Sequence, residues 1–191
     1  MKCIGIFGGS FNPVHCGHIA LAAWMLEHGY VNEIWLMLSP QNPLKCINPG
    51  ATDEQRREML TLACDGIEGL HPCFVEFDMP RPSYTIDTLK RLSTEFPEYN
   101  FKLIIGSDNW NVFNKWRSPE QIIEDYGVIV YPRPLYPISN VEVNGVTYAA
   151  DAPTWNVSST AIRDDIHGNL SMLPQKVANY IKENSLYGYN Q

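Results

Sequence analysis

The chain has 191 residues, of which 45% are hydrophobic and 18% charged, a composition typical of one globular domain with a substantial core. Its 14 basic side chains are outnumbered by 21 acidic ones, giving a formal charge of −7, and no basic run offers a footprint for nucleic acid. Five scattered cysteines without a CxxC pair are typical of a reduced, cytoplasmic protein. No apolar run reaches membrane-spanning length, and the N-terminus lacks a secretory pattern. We therefore expect a soluble, cytoplasmic protein with no nucleic-acid or membrane partner.

The first segment combines an apolar strand, two glycines and two histidines. Cys3–Phe7 predicts a buried strand, Gly8–Gly9 a tight turn that allows close backbone approach, and the residues from Ile19 onward a helix. Because His15 and His18 are three residues apart, both should lie on one face of this helix, beside whatever its first turn binds. The pattern predicts a phosphate site, and a triphosphate would suit the histidine pair.

The residues of this segment disfavour two other phosphate-binding motifs and a zinc site. It contains neither GxxxxGK[ST] nor GxGxxG, which disfavours an ATPase of the P-loop class and a dinucleotide-dependent redox enzyme. Either histidine alone would more often cap the helix or fill a satisfied polar position, and only the pair behind Gly-Gly-Ser favours function. His15, Cys16 and His18 could suggest zinc, but no second ligand cluster follows at finger-like spacing.

A second strand and a polar loop come next. Val31–Leu38 predicts a buried strand, and residues 39–45 (SPQNPLK) form a loop at its carboxyl end. Ligands of parallel sheets bind at such ends. The loop is either a connection stiffened by prolines or a place where Asn42 and Lys45 supply a donor and a cation to a phosphate.

The following helix carries its own start signal. Thr52 and Gln55 form a capping-box pattern, which predicts a helix over Asp53–Cys64. Arg56 and Arg57 lie inside this helix, and we expect both to be solvated surface charges.

Two more strand-helix units occupy the middle of the chain. Cys73–Phe77 predicts a strand, and Thr85 is placed to cap a helix over Ile86–Phe96. Phe101–Ile105 is the clearest continuous strand in the sequence. Asp108 lies just past its end, where a carboxylate suits either ribose hydroxyls or the cap of the next helix.

The elements after Asp108 are shorter. The next helix should carry Phe113 and Trp116 as core residues, and Val128–Tyr131 predicts another strand. Val141–Val143 and Val146–Tyr148 flank an Asn-Gly pair, which favours a hairpin with a tight turn.

A second candidate anion site opens a later helix. Ser158, Ser159 and Thr160 precede this helix and Arg163 lies one turn inside it, so hydroxyls, amides and a guanidinium could converge on one anion. Such a cluster is also a common helix cap. Leu173–Tyr187 predicts a terminal helix with proline in its first turn. Strands alternating with helices predict a mostly parallel, three-layer α/β sheet.

The candidate site is rich in donors and cations and poor in paired carboxylates. It contains no Ser-His-Asp arrangement and no catalytic cysteine pattern. These groups suit nucleotidyl transfer to a phosphate nucleophile, because a phosphate oxygen is already ionised at pH 7 and needs no general base. Catalysis would then consist of positioning and charge stabilisation, with Mg²⁺ carried by the phosphates of the substrate.

The motifs GGSFNPVHCGH and VSSTAIR resemble the nucleotidyltransferase superfamily that is marked by HxGH and a late SSTxIR. More narrowly, the chain resembles the bacterial nicotinate-nucleotide adenylyltransferases through SPQNPLK, RREML, PRPSYTIDTL, LIIGSDNW, FNKW, YPRP and LPQKVANYI. The resemblance implies a Rossmann-like, doubly wound, mostly parallel sheet with helices on both faces. It also implies a single domain over residues 1–191, with the helical part at about 158–187 completing an ATP site.

What the resemblance implies chemically is transfer of the adenylyl group of ATP to nicotinate mononucleotide, giving deamido-NAD and pyrophosphate in NAD biosynthesis. The implied catalytic residues are His15, His18, Lys45 and Arg163. The implied ATP-binding residues are Gly8, Gly9, Ser10, Phe11, His15, His18, Gly106, Asp108, Ser158, Ser159, Thr160 and Arg163. The implied mononucleotide-binding residues are Asn42, Lys45, Ser83, Tyr84, Thr85 and Trp116. No protein side chain is implied as a metal ligand, and Mg²⁺ would arrive on the substrate phosphates.

The chain departs from the family pattern at Ser10, where threonine is usual, and at Asn12, where an acidic residue is usual. GSFNP also occurs in relatives that prefer nicotinamide mononucleotide, so that enzyme is the nearest alternative. A phosphopantetheine adenylyltransferase is a second alternative, against which PSYT and FNKW argue. Class I aminoacyl-tRNA synthetases have a motif similar to HxGH, but this sequence lacks the KMSKS-like loop of those enzymes. A silent nucleotide sensor is disfavoured by the retained histidines and basic residues, and a homo-oligomer remains open.

Overall fold

The computed structural model describes residues 1–40, 50–138 and 142–190. Within them, six strands form one sheet in the order β3-β2-β1-β4-β5-β6, and every neighbouring pair is parallel. None of the helices in these residues is both long and apolar enough to cross a bilayer. The strands are β1 (Lys2–Gly9), β2 (Glu33–Leu38), β3 (Leu70–Cys73), β4 (Tyr99–Gly106), β5 (Val128–Tyr131) and β6 (Val146–Tyr148). The α-helices are α1 (Cys16–Glu27), α2 (Asp53–Cys64), α3 (Thr85–Glu95), α4 (Ser107–Trp110), α5 (Pro119–Asp125), α6 (Ser159–Asp164) and α7 (Gln175–Glu183).

Two hydrophobic cores cover the two faces of this sheet. Successive side chains of a strand point to opposite faces, so Ile104 belongs to one core and its neighbours Leu103 and Ile105 belong to the other. Helices α1, α2, α6 and α7 supply buried side chains to the first core, and α3 and α5 supply them to the second. The prediction of a doubly wound α/β sheet with helices on both faces is confirmed.

The strand order places a crevice between β1 and β4. From β1 the chain winds outward through β2 and β3, and from β4 it winds the other way through β5 and β6. In doubly wound sheets, ligands bind at the carboxyl ends of the strands where this reversal occurs. The reversal lies where Phe7 of β1 pairs with Ile104 of β4, one or two residues before Gly8–Gly9 and Gly106.

The first predicted turn is wrong in position. Gly8 and Gly9 do not turn but continue β1, because they pair with Met37 and Leu38 of β2. The chain turns at residues 10–13 instead, and Phe11 takes a positive φ of 40° there. The following helix begins at Cys16, three residues earlier than predicted from the apolar run.

The predicted strand over Cys73–Phe77 is also wrong. The strand is β3, which ends at Cys73, and Val75–Asp78 forms a 3₁₀-helix. Thr85 does not cap α3 either, since Tyr84 occupies the N-cap position and Thr85 begins the helix.

The helix after β4 is shorter than predicted and ends at Trp110. Gly106 occupies the N-cap position of α4, so Asp108 lies inside this single-turn helix and does not cap it. Phe113 begins a 3₁₀-helix and Trp116 follows its end. Phe113 is buried, as predicted.

The described residues before the Asn-Gly pair, Glu142 and Val143, form no strand of a hairpin. Val141 lies outside the described residues, and Val146–Tyr148 adds to β5 as a parallel strand, β6. Position 145 still requires glycine, because its φ of 84° lies in the left-handed region. The terminal helix α7 ends at Glu183, earlier than predicted, and a 3₁₀-helix follows at Leu186–Gly188.

Helix α2 has its predicted bounds, and its capping box is confirmed: the Gln55 N–H donates to Thr52 Oγ1 at 3.2 Å, and the Thr52 N–H donates to Gln55 Oε1 at 2.9 Å. The expectation that Arg56 is a solvated charge is wrong, because it is only 2% exposed. Its guanidinium donates to the carbonyl oxygen of Ser10 at 2.6 Å and to that of Ser39 at 2.9 Å, and it pairs with Asp53 at 2.6 Å. Arg56 therefore joins the segments that follow β1 and β2.

We predict that Arg56→Met lowers the free energy of unfolding by about 3 to 5 kcal/mol, which is the usual cost of removing one partner from a buried ion pair. The substitution removes the donor to the two carbonyl oxygens and the 2.6 Å ion pair with Asp53, whose carboxylate also makes a longer contact of 3.7 Å with Arg81. Urea denaturation followed by circular dichroism measures the loss. The matched control is Arg57→Met on the same helix, which removes a guanidinium lying over the Phe77 ring and should cost about 1 kcal/mol. Equal losses in the two variants would contradict the role given to Arg56.

Candidate active site

A cavity of about 750 Å³ opens at the carboxyl ends of the central strands. Its size is within the range of small-molecule sites. Twelve of the residues predicted for the site line it: Gly8, Gly9, Ser10, Phe11, His15, His18, Ser83, Thr85, Gly106, Trp116, Ser158 and Ser159. The structure therefore brings the predicted histidine pair, Trp116 and residues from the segments at 83–85 and 158–159 around one cavity.

Six predicted residues are not among the described residues that line the cavity. Asn42 and Lys45 are outside the described residues. Tyr84 is 42% exposed and packs under the Arg117 guanidinium at 4.7 Å, away from the cavity lining. Asp108 and Thr160 are chain neighbours of the lining residues Asn109 and Ser159 without lining the cavity themselves, and Arg163 lies one turn further along α6.

The two histidines stack at the start of α1. His15 occupies the N-cap position and its backbone N–H donates to His18 Nδ1 at 3.2 Å. The ring centroids are 3.6 Å apart at an interplanar angle of 21°, and the Phe11 ring packs edge-on against His18 at 4.9 Å. Because Nδ1 of His18 accepts a hydrogen bond, the proton of the neutral ring lies on Nε2. His18 is thus a capping partner and also a donor at the cavity.

Both histidines are held neutral at pH 7. Burial, with a smaller contribution from the positive charge of Arg133, lowers the pKa of His15 to about 4. Burial also lowers the pKa of His18 well below its usual value, with smaller contributions from His15 and Arg133. Nδ1 of His15 is buried without a hydrogen-bond partner. The imidazoles therefore offer hydrogen bonds to a phosphate, while positive charge must come from other residues.

Helix α6 is docked on the turn between β1 and α1. Arg163 donates from Nη1 to the carbonyl oxygen of Asn12 at 2.6 Å, and the Ser159 hydroxyl donates to the carbonyl oxygen of Pro13 at 2.9 Å. The Tyr187 hydroxyl donates to the amide oxygen of Asn12 at 2.7 Å. Asn12 thus supplies the acceptor that an acidic residue would supply at this position. The two candidate anion sites of the sequence are joined by these bonds.

Ser158 keeps the capping role that was the alternative to a binding role. Its hydroxyl accepts the N–H of Ala161 at 3.1 Å, and it also lines the cavity. Arg163 donates to Thr160 Oγ1 at 3.2 Å in addition to the Asn12 carbonyl. Both nitrogens at the tip of this guanidinium are therefore engaged by protein groups.

The opposite end of the cavity is formed by the start of α3 and by Trp116. Ser83 and Thr85 line this end, and the Trp116 ring packs on Phe113 at 5.2 Å. Glu76 also lines it, and its buried carboxylate accepts the Thr88 hydroxyl at 3.0 Å. Sequence reasoning missed Glu76 because it assigned that segment to a strand.

Sequence reasoning also missed Arg133, which lines the cavity beside the histidines. Its Nε lies 3.5 Å from Oδ1 of Asp108. Gly106 makes this approach possible, since a Cβ there would lie 2.4 Å from the same carboxylate oxygen. The available signal was the YPRP segment, which puts an arginine two residues past the end of a strand next to the central crevice.

The lowered pKa of His15 predicts a pH-dependent loss of stability. An unfolded histidine protonates near its ordinary pKa of about 6.5, so the unfolded chain binds more protons than the folded chain between that pH and about pH 4. The free energy of unfolding therefore falls as pH falls through this window, and His15 contributes about 2 kcal/mol of that fall between pH 6.5 and pH 4.5. Urea denaturation of His15→Gln should show a correspondingly flatter pH dependence than the unsubstituted protein. The control is His28→Gln, which replaces an exposed histidine and should leave the free energy of unfolding with the same pH dependence as in the unsubstituted protein. Identical pH profiles for all three proteins would contradict a buried, neutral imidazole at His15.

The chain is similar to known proteins over most of its length. The cytidylyltransferase-like family profile matches residues 6–165. A "Probable nicotinate-nucleotide adenylyltransferase" of Bacteroides fragilis (strain YCH46) is 44% identical over 160 residues, which are 84% of this chain and 80% of that protein. A protein of the same name from Bacteroides thetaiotaomicron is 41% identical over 182 residues, which are 94% of this chain and 90% of that protein.

The solved structures show the likeness of fold. A Plasmodium falciparum nicotinic acid mononucleotide adenylyltransferase complexed with NaAD has a TM-score of 0.78 at 20% sequence identity, covering 100% of this chain and 99% of that one. A match at 20% sequence identity shows the fold alone. The family is shown by the two Bacteroides relatives, which are 44% and 41% identical over 84% and 94% of this chain. By this sequence relationship the chain belongs to the nicotinate-nucleotide adenylyltransferase family, within the cytidylyltransferase-like group.

Proposed function

We propose that this chain transfers the adenylyl group of ATP to nicotinate mononucleotide, forming deamido-NAD and pyrophosphate in NAD biosynthesis. The observation that carries the proposal is one cavity with two chemically different ends. The stacked pair of His15 and His18 stands at one end, and Thr85 with Trp116 stands at the other. The family to which the chain belongs supports the same reaction.

The reaction needs no proton acceptor for its first step. An oxygen of the mononucleotide phosphate attacks the α-phosphorus of ATP, the new P–O bond forms, and the bond from the α-phosphorus to the bridging oxygen breaks. The electron pair leaves with pyrophosphate. The attacking oxygen is ionised at pH 7, so neutral histidines are compatible with the chemistry and a general base is not required. The protein positions the reactants and stabilises the negative charge on the transferred phosphoryl group.

His18 is proposed as a donor to this developing charge. Its Nδ1 is engaged by the His15 N–H, which leaves Nε2–H as the free donor of a ring that lines the cavity. Ser158 and Ser159 are proposed to lie along the phosphates with Ser10 and Gly9. Thr160 and Arg163 are proposed for the β- and γ-phosphates, which would require Arg163 to leave or share its bond to Asn12.

The acceptor is proposed to lie at the other end of the cavity. Thr85 and Trp116 would hold the pyridine ring with Ser83, and the aromatic side chain of Trp116 suits stacking on the ring. Tyr84 was predicted for the same role, but its side chain packs under Arg117 away from the cavity lining. Asn42 and Lys45 are proposed for the mononucleotide phosphate. Gly106 and Asp108 are proposed for the ribose of the nucleotide.

Mg²⁺ is proposed to enter on the phosphates of ATP, which are the hard oxygen ligands this ion prefers. In the part of the chain that the structure describes, no group of three or more His, Cys, Asp or Glu side chains could hold a metal ion. The histidine end of the cavity offers imidazole nitrogens and hydroxyls, so the donor set fits a metal held mainly by substrate oxygens. When bound, the ion would neutralise phosphate charge, and the protein groups would orient the phosphates around it.

Nicotinamide mononucleotide is the alternative acceptor that one observation favours. The buried Glu76 carboxylate lines the acceptor end, and its charge opposes a nicotinate carboxylate more than a neutral carboxamide. Arg81 lines the same end and acts in the opposite direction. The balance between these two charges sets the preference between the acid and the amide.

Pyrophosphate release tests the proposed reaction. With ATP and Mg²⁺, we expect the purified protein to turn over nicotinate mononucleotide with the highest kcat/KM, nicotinamide mononucleotide with a lower value, and phosphopantetheine not at all. Mass spectrometry of the product should identify deamido-NAD. No turnover of either pyridine nucleotide would contradict the proposal, and preference for the amide would favour the alternative.

His18→Ala should lower kcat by roughly 10²- to 10³-fold, the usual effect of removing one donor to a developing charge. The melting temperature should fall far less than a structural role would require. His18→Asn is the matched variant, because its side-chain oxygen can still accept the His15 N–H while the Nε2–H donor is gone. We expect His18→Asn to keep the stability and share the loss of kcat. Equal losses of stability and activity in both variants would favour a capping role alone.

A further inference from the structure

Arg133 stands beside the histidine pair at the carboxyl end of β5. It lines the main cavity and also a smaller one of about 30 Å³, and His15 and His18 line both cavities as well. Its backbone N–H donates to the hydroxyl of the fully buried Ser107 at 2.8 Å. The main chain of Arg133 is therefore fixed against α4, while its side chain remains 38% exposed toward the cavity.

The guanidinium of Arg133 has unmet hydrogen-bonding capacity. Its Nε and Oδ1 of Asp108 are both buried, and neither atom has a hydrogen-bond partner. They are 3.5 Å apart, whereas charge-assisted hydrogen bonds of this kind span about 2.7 to 2.9 Å. The two groups attract each other by charge without satisfying each other, so both can gain hydrogen bonds from a ligand.

The other arginines near the site differ from Arg133 in this respect. Arg56 and Arg163 donate to backbone carbonyl oxygens of the turn after β1. Arg81 lies at the acceptor end and faces Asp53 at 3.7 Å. Among the described residues that line the histidine end of the cavity, Arg133 is the cation, and its charge reaches both imidazoles, whose pKa values it lowers.

We propose that Arg133 is a catalytic residue of the reaction proposed above: its guanidinium binds the α-phosphate oxygens of ATP and stabilises the negative charge that builds on them. In the free enzyme the guanidinium faces Asp108. When ATP binds, it turns to the phosphate, and Asp108 becomes available to the ribose hydroxyls. No proton or electron passes through Arg133, and bond making and breaking remain as described for the proposed function.

The chemistry of the site requires such a cation. With His15 and His18 neutral, the histidine end supplies hydrogen bonds but no charge of its own, and the α-phosphate oxygens carry increasing charge as the acceptor oxygen approaches. A guanidinium is always protonated and presents its donors in a planar fork that matches two phosphate oxygens. The distance of 3.5 Å between Arg133 and Asp108 fits this exchange of Asp108 for a phosphate, because it allows charge attraction without a full hydrogen bond.

Kinetics of Arg133→Gln and Arg133→Lys test the proposal under the assay conditions established with the wild type. We expect kcat to fall about 100-fold or more in Arg133→Gln, with a much smaller change in KM for nicotinate mononucleotide and an unchanged melting temperature. Arg133→Lys should recover part of kcat, because it restores the charge without the fork. The control is Arg91→Gln on α3, an arginine that donates to Glu95 and to the carbonyl oxygen of Asp78 outside the cavity, and it should keep wild-type kinetics.

A second measurement reads the charge of Arg133 without using activity. The groups facing the histidine rings are Phe7 and Phe11 from the β1 side, and Tyr131 and Arg133 from β5, with Asp108 behind Arg133. The phenol of Tyr131, whose pKa is raised by burial, stays neutral, so Arg133 is the cation of this set. Proton NMR titration of the free enzyme should show the pKa of His15 rising from about 4 in Arg133→Gln and staying low in Arg133→Lys.

The outcomes separate this proposal from the proposed function. Wild-type turnover of nicotinate mononucleotide with unchanged kcat in Arg133→Gln would overturn the role of Arg133 and leave the reaction standing. Loss of melting temperature in proportion to kcat, in both Arg133 variants, would assign Arg133 a structural role and also overturn the proposal. Absence of turnover by the wild-type protein would overturn the reaction and the role together.

Discussion

The site depends on how the carbonyl oxygens of the turn at residues 10–13 are bound. Arg56 binds the oxygen of Ser10, Arg163 that of Asn12 and Ser159 that of Pro13. The donors to these carbonyl oxygens come from side chains 46, 151 and 146 residues away. The turn that places Phe11 and the histidines is therefore fixed only when α2 and α6 have packed on the sheet. This explains why a phosphate site at the start of the chain needs residues near its end.

The same bonds divide the basic residues into two groups. Arg56 and Arg163 hold the backbone that forms the site, and Arg133 keeps a guanidinium directed at the space where phosphates are proposed to bind. The histidines belong to neither group, because burial keeps them neutral and makes them hydrogen-bonding partners. Positioning, hydrogen bonding and charge are thus supplied by different residues. A site that gave all three to the histidines would require them to be protonated in a buried place, at a high cost in desolvation.

The sequence predicted those parts of the fold that depend on local patterns. The bounds of α2 and β5 follow from a capping box and from a continuous apolar run, and both are as predicted. The errors arise where a distant partner decides the local structure. Gly8 and Gly9 remain in a strand because β2 pairs with them, and Val146–Tyr148 joins β5 in parallel where an Asn-Gly pair favoured a hairpin. Arg56 looked like surface charge because nothing in its own helix indicates the carbonyl oxygens that it binds 46 residues away. The histidine pair, Ser158 and Ser159 were predicted from patterns at the starts of two helices, whereas Ser83, Gly106 and Trp116 were implied by the family resemblance. They meet around one cavity because the strand ends of a parallel sheet lie at the same edge.

The two ends of the cavity impose different electrostatic conditions on the two substrates. At the histidine end a polyphosphate meets neutral donors and the charge of Arg133, so every contact there favours an anion. At the acceptor end the substituent of the pyridine ring meets Arg81 and the start of α3, which favour an anion, and the Glu76 carboxylate, which opposes it. Thr88 links these opposing groups, since its hydroxyl lies within hydrogen-bond distance of both the Glu76 carboxylate and the carbonyl oxygen of Tyr84 at the start of α3. Selection between acid and amide is therefore a difference between two charge interactions on one ring substituent, whereas recognition of ATP is a sum of interactions with the same sign.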